Sequence, residues 1–283
     1  MEPPDPSPSF TWNAADYARC SSSQQQWAQE LIAKLRLNGN ERVLDIGCGD
    51  GKVTAAIAAS VPMGSVTGID KSPDMCRFAR EHFPNTLCKN LTFVRMDARH
   101  LDFIEEFDIV FSNAALHWIS DHQSLLKGIA NGLRTGGRLL VQMGGKGNAA
   151  AVFEALAVML ANSRWDRYFD GFSFTYGFFG TDEYRQWLIN AGFEPVRVEL
   201  IPKDMIHSDR EAFAGWIRTT WLPWIARLPE GEQLGFIDGL VDEYLTLYPA
   251  DADGSIHIGM VRLEIEAIKK RTGRYVIYKP SLP

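Results

Sequence analysis

Cysteine is scarce in this chain: Cys20, Cys48, Cys76 and Cys88 are the four among 283 residues. No two of them stand as C-x-x-C. That argues against a zinc knuckle or a disulfide framework and for a reducing, cytoplasmic setting. Long apolar runs are missing as well, since no stretch reaches the ~18 residues of a membrane span. A basic stripe is missing too. The 29 Lys and Arg are scattered among 35 Asp and Glu, for a net charge of −6. A protein whose main work is gripping nucleic acid carries such a stripe, so no nucleic-acid partner is expected. Lys269-Lys270-Arg271 is the one short basic run, and it reads as a solvated face. The Pro-rich, acidic first ten residues lack the cationic and apolar regions of a signal peptide. There are no internal repeats and no low-complexity tracts.

What is present begins with Val43-Leu44-Asp45-Ile46-Gly47-Cys48-Gly49-Asp50-Gly51. Val43, Leu44 and Ile46 suit a strand covered on both faces. Glycine at 47, 49 and 51 accepts positive φ and lets a ligand lie against bare backbone. Lys52 to Ala59 then has the pattern of a helix. Strand, glycine loop and helix N-terminus in this order bind a nucleotide-like ligand at the carboxyl edge of a doubly wound sheet. The spacing is G-x-G-x-G, and Lys52 stands where a dinucleotide fingerprint wants a third small residue. Asp45 and Asp50 flank the loop and would repel a pyrophosphate. They suit a ligand with a cationic centre and free hydroxyls. Asp70 closes the second apolar run, nineteen residues past Gly51. An acid at that offset is placed to hold both ribose hydroxyls.

With this loop and this acid the chain resembles the class I S-adenosylmethionine-dependent methyltransferases. The resemblance narrows on Asn13-Ala14-Ala15-Asp16-Tyr17, Gln24, the glycine loop and Leu116-His117-Trp118-Ile119. These are similar to the trans-aconitate and juvenile hormone acid methyltransferase group. Ile217-Arg218-Thr219-Thr220-Trp221-Leu222 looks like the trans-aconitate type. The resemblance implies a Rossmann-like, doubly wound, seven-stranded α/β sheet whose last strand is antiparallel. It implies S-adenosylmethionine as cofactor and a small-molecule methyl acceptor as partner, most simply a carboxylic acid. It leaves monomer and homodimer both open.

The rest of the chain fits repeated βα units, which mean a parallel sheet. Gln24–Leu35 reads as a helix, with Trp27, Leu31, Ile32 and Leu35 on one stripe. Pro73 opens another at its first position. Strands are predicted over 91–94, 107–111, 138–143 and 193–201, and a last one over 260–268. Helices are predicted over 121–133, 149–160 and 210–248, the last broken at Pro223 and Pro229. The expected organisation is an N-terminal lid segment over 1–36 and a cofactor-binding core over 37–202. A helical cap insertion over 203–255 follows, then the last strand and tail over 256–283.

The candidate cofactor residues are Tyr17 in the lid, Gly47, Cys48 and Gly49 in the loop, and Asp45 beside it, holding the loop or the ligand's ammonium. Asp70 takes the ribose, and Lys71 and Met75 flank the adenine. In the resemblance Asp97 and Ala98 form the adenine-edge pair, although Asp97 also has the spacing of a helix cap. Asn113 ends the fourth strand on the ligand edge. No metal site is expected.

On the acceptor side stand four candidates. His117 is a general base, a hydrogen-bonding group or a packed core residue. Trp118 is a pocket wall or sheet packing. In the hormone-acid type a Gln and a Trp at the positions of Gln24 and Trp118 hold the acceptor carboxylate, whereas the trans-aconitate type has Arg where Gln24 stands. Arg218, the basic residue among Trp216, Trp221 and Trp224, is the candidate partner of an acceptor carboxylate. A carboxylate is already ionised at neutral pH and needs no base. A phenol or amine acceptor needs its proton removed and would draw on His117. The aromatic residues between Trp165 and Trp187 either pack between insertion and sheet or line an apolar acceptor pocket. Three further readings remain: a nicotinamide oxidoreductase, which Lys52 disfavours, a nucleic acid methyltransferase, which the charge disfavours, and a cofactor-binding protein without catalysis.

Overall fold

The structure, a computed structural model, describes residue 16 and residues 22–161, 164–174 and 176–271, with backbone alone for residues 22–26. Tyr17 therefore lies outside the described residues, as does the side chain of Gln24. Seven strands form one sheet in the order β3-β2-β1-β4-β5-β7-β6. They are β1 (Arg42–Ile46), β2 (Ser65–Asp70), β3 (Leu91–Arg95), β4 (Phe107–Asn113), β5 (Leu133–Gly144), β6 (Phe193–His207) and β7 (Ile256–Lys269). The first five strands are parallel. β7 runs antiparallel to both β5 and β6. The strand order reverses between β1 and β4. That is the switch point where a crevice opens at the carboxyl ends.

Alternation along β1 assigns its side chains to two faces. Val43 packs with Leu31 of α1 (Ser22–Ala33), Leu35 in the turn after it and Ile57 of α2 (Lys52–Ser60). Leu44 and Ile46 pack on the other face with Leu125, Leu126 and Ile129 of α4 (His122–Gly132). α3 (Pro73–His82) begins as its sequence demands: Pro73 opens the first turn, and the Ser72 side chain accepts from the Met75 N–H at 3.3 Å. A third cluster joins α5 (Ala150–Ala161), α7 (Arg210–Thr220), the short α8 (Leu222–Ile225) and α9 (Glu230–Leu247) through Val152, Met159, Trp216, Ile225 and Leu240.

Three elements differ from expectation. α6 (Thr181–Asn190) falls in the stretch singled out for its aromatic residues. Its start has a local cause, because the Glu183 side chain accepts from the Gly180 N–H at 2.6 Å. β6 runs to His207 and β7 starts at Ile256, because the two pair with each other beyond the region that β5 covers. Asp204 and His257 are exposed on that extension, so its sequence lacks a strand's apolar signature. The helical stretch after β6, by contrast, is three helices broken where expected. The breaks come at Trp221, ahead of Pro223, and at Pro229, as the steric demand of proline requires. No helix among the described residues is long and apolar enough to cross a membrane.

Candidate active site

The loop after β1 is strapped to β2 by its backbone. The N–H groups of Gly47 and Cys48 both donate to the Ile69 carbonyl, at 2.8 and 3.0 Å. The Gly49 N–H donates to Asp70 Oδ2 at 3.0 Å, and the Ser72 N–H to Asp70 Oδ1 at 2.8 Å. The carboxylate is thus fixed by main chain at the sheet edge, and burial raises its pKa above the ordinary value. Gly49 has φ +52°, and a Cβ built there would meet nothing within 4 Å. It opens onto space. Gly47, at φ +76°, faces the opposite situation, since a Cβ would stand 2.1 Å from the Ala115 Cβ. The loops after β1 and β4 therefore touch, which only glycine permits.

Two loop residues do not reach that space. Asp45 is 2% exposed and accepts from the Thr54 hydroxyl at 2.7 Å, behind the loop. Burial pushes its carboxyl up to about 7, against the lowering effect of that hydrogen bond. It holds the loop to α2 and is not among the cavity residues. Cys48 is also buried and lies outside the cavity lining, turned toward Gly68 of β2.

A cavity of about 710 Å³ runs along the carboxyl edge. Gly47, Gly49, Asp70, Lys71, Met75, Asp97, Ala98 and Asn113 line it, together with His117 and Trp118. Asp97 is also the cap of a single turn, accepting from the Arg99 N–H at 3.0 Å. Burial raises its pKa, but Arg99 and Lys71 outweigh that and the net shift is downward. Ala114 and Ala149 stand in the wall with φ of +55° and +53°. Non-glycine residues in that region carry strain of a kind that clusters at ligand sites.

Beyond the switch point the lining changes character. His117 lies among Trp118, Tyr176 and Phe178, with ring centroids 5.5, 5.9 and 5.8 Å away. Its Nδ1 has no hydrogen-bond partner among the described residues. Burial first, and then the Arg262 and His122 charges, push its pKa down to about 3. The Tyr176 hydroxyl donates to the Thr220 carbonyl at 3.1 Å, and burial raises its pKa further. Phe153, Trp216, Trp221 and Met260 complete the apolar wall. The aromatic segment divides between cavity wall and core. Phe174, Tyr176 and Phe178 face the cavity, while Trp165 and Phe169 pack in the core.

Arg218 is a correction. Its Nε and Nη2 donate to the two oxygens of Asp16 at 2.8 and 3.0 Å, and it is not among the cavity residues. A carboxylate of the chain itself occupies the guanidinium fork. The basic residue that does reach this end of the cavity is Arg262 on β7. It is 4% exposed, and its guanidinium carbon lies 4.6 Å from the Trp27 ring centroid. Sequence reasoning missed it. The only local signal was a charged residue inside an apolar strand, in Met260-Val261-Arg262-Leu263.

A family profile described as Methyltransferase domain matches residues 43–137. Trans-aconitate 2-methyltransferase of Escherichia coli (strain K12 / DH10B) is 30% identical over 259 residues, covering 90% of this chain and 97% of that one. Two solved structures share the fold. The YcgJ protein of Bacillus subtilis superposes with a TM-score of 0.56 at 19% identity, over 87% of this chain and 99% of its own. Phosphoethanolamine N-methyltransferase 2 of Haemonchus contortus, in complex with S-adenosyl-L-methionine, gives 0.57 at 20% identity, over 91% of this chain and 57% of that one.

Proposed function

Because the chain belongs to the family of S-adenosylmethionine-dependent methyltransferases that includes trans-aconitate 2-methyltransferase, we propose that it methylates the carboxylate of a small organic acid. Bound at this edge, the cofactor would supply an electrophilic methyl on a sulfonium centre, which a carboxylate oxygen would accept as a methyl ester while the thioether leaves. The chain's own residues fit such a ligand. Gly49 offers bare backbone with open space above it, and Asp70 is positioned to accept from two ribose hydroxyls. Asp97 accepts from the exocyclic amine in this reading, and Met75, 4% exposed in the cavity wall, flanks the base.

One observation carries the choice of a carboxylate. His117, the imidazole in the cavity wall, has its pKa held at about 3. A phenol titrates near 10, so handing its proton to an imidazole that burial holds below its ordinary value is strongly uphill. Tyr176 cannot take over, because it stays protonated and donates to Thr220. An acceptor that is already ionised needs neither. The site then has only to orient the oxygen and exclude water, effects that can reach roughly 7–11 kcal/mol.

The test is a panel of carboxylic acids, phenols and amines with labelled methyl donor, run on the wild type and on His117→Asn. Carboxylic acids should be methylated, and the variant should lose less than about tenfold in kcat/KM, since no proton moves. Methylation confined to phenols or amines, with a loss in the general-base range of about 10²–10⁴-fold at His117→Asn, overturns the reading.

A further inference from the structure

We propose that the Asn148 carboxamide binds the methyl acceptor: its NH2 group donates to one oxygen of the acceptor's carboxylate, and the His117 imidazole, with its proton on Nε2, donates to the other. The acceptor is then oriented by neutral donors in the loops after β4 and β5. This rests on the carboxylate methylation proposed above and goes further by naming the groups that hold the nucleophile.

The loop after β5 is strapped down on three sides. The Gly145 N–H donates to the Val261 carbonyl, the Lys146 N–H to the Phe179 carbonyl and the Asn148 N–H to the Gly145 carbonyl, each at 2.9 Å. Gly147 and Ala149, on either side of Asn148, hold φ of +87° and +53°. The Asn148 side chain is 6% exposed, yet it lines the cavity. Its Oδ1 accepts from the Val261 N–H at 3.1 Å. A backbone N–H only donates, so this bond fixes which end of the amide is oxygen. The NH2 end makes no hydrogen bond among the described residues and is not sealed in protein. A Cβ built on Gly144 would stand 3.1 Å from this nitrogen and 2.4 Å from the Phe178 ring. The amide nitrogen and the His117 ring therefore flank one aromatic side chain, since His117 lies 5.8 Å from Phe178 between centroids.

The imidazole has two distinct nitrogens. Nδ1 is sealed in protein without a partner, and Nε2 is not. A buried N–H with no acceptor is a rare and costly state, which puts the proton on Nε2. Thr220, a further polar side chain of this wall, gives its proton to the Trp216 carbonyl at 2.6 Å and has only lone pairs to offer. Arg262 keeps its partners within the chain, Trp27 among them. Two neutral donors suit a carboxylate, which only accepts. It has about four lone-pair sites, so two donors leave it lone pairs for the incoming methyl. The position is right as well. β4 is the neighbour of β1 in the sheet, and the turn after β4 meets the glycine loop where Ala115 abuts Gly47. Donors in that turn and in the next loop hold the nucleophile beside the cofactor edge.

The experiment measures methyl transfer by the full chain to octanoate, 3-phenylpropanoate and trans-aconitate, and to a phenol and an amine. Asn148→Asp, His117→Phe and His117→Asn are assayed beside the wild type. Asn148→Asp keeps the shape and the oxygen that the Val261 N–H needs, but puts a second carboxylate oxygen where the donor stood. It should lose about 10- to 150-fold in kcat/KM on the best acid, the range for a hydrogen bond to a charged group. A merely structural Asn148 would tolerate that change. His117→Phe should lose a similar factor, and His117→Asn, which restores a donor, should recover most of it. S-adenosylhomocysteine affinity by calorimetry should stay within about twofold throughout. Should the variants fail to fold, the wild type serves alone: with S-adenosylhomocysteine bound, 3-phenylpropanamide should bind at least tenfold more weakly than 3-phenylpropanoate, because its NH2 meets a donor. Unchanged kinetics in Asn148→Asp, an equal loss of turnover and of S-adenosylhomocysteine affinity, or equal binding of amide and acid overturns this proposal and leaves carboxylate methylation standing. Turnover of the phenol or amine with every acid inert, or acids neither turned over nor bound, overturns both.

Discussion

Asp45 and Asp70 stand near the ends of neighbouring strands, and the fold treats their carboxyls differently. Asp70 has two main-chain donors and faces the cavity. Asp70→Ala should weaken S-adenosylmethionine by about 1.5–3 kcal/mol, the range for hydrogen bonds to a charged group. Calorimetry on the folded variant measures it, and unchanged affinity would remove Asp70 from the site. Asp45 is enclosed behind the loop, and its folded pKa of about 7 stands above the ordinary 3.8. Between those values the folded chain keeps a proton that the unfolded chain has released. This group's contribution to stability is thus fully present below pH 4 and is lost as pH rises toward 7. Three units correspond to on the order of 4 kcal/mol. Asp45→Asn has no proton to lose, so its stability should vary less with pH across that window. Denaturant melts of both proteins at several pH values decide it, and parallel curves would refute the assignment.

At the scale of elements, α1 is fastened along β7. Trp27 covers Arg262, and Lys34 donates to Glu264 Oε1 at 2.6 Å. Glu264, 1% exposed, also accepts from Gln142 at 3.0 Å and from Arg197. Burial raises its pKa, but these donors outweigh that and lower it overall. Glu264→Ala would leave Arg197 and Gln142 facing a hole. Breaking such a buried pair costs about 3–5 kcal/mol. The lower end is expected here because Lys34 is 40% exposed and can turn to solvent. Urea unfolding should show it, and a loss below about 1 kcal/mol would mean that the network is not what fastens α1.

For the whole molecule, ligand binding and folding are linked, because the cavity draws its walls from residues as far apart in the chain as Ile46 and Arg262. S-adenosylhomocysteine at one hundred times its Kd should add about 2.7 kcal/mol to folded-state stability. In a chain of 283 residues that is a rise in Tm of roughly 4–5 °C. NAD at the same concentration should leave Tm in place, since Lys52 occupies the third small position of a dinucleotide loop. A melt that moves with NAD and not with S-adenosylhomocysteine would contradict the cofactor.

Those features whose causes are local could be read from the sequence. The glycine loop, the Asp70 acid, the Ser72-Pro73 helix start and the alternation of apolar runs each depend on residues a few positions apart. They specified an α/β sheet and its cofactor edge. α6 was legible in principle through Gly180 and Glu183, but the aromatic content around it masked the signal. The two arginines lay beyond local reading. Nothing within ten residues of Arg218 or Arg262 says which one faces the cavity. Asp16, 202 residues from Arg218, takes the first guanidinium. The pairing of β7 with β5 and β6, and the seating of Trp27 upon it, turns the second into the wall. The base strength of His117 was undecidable for the same reason. An imidazole in a sequence titrates near 6.5, and burial first, then the Arg262 and His122 charges, bring it to about 3. Burial and long-range pairing are properties of the packed chain, and they alone decided which side chains line the cavity.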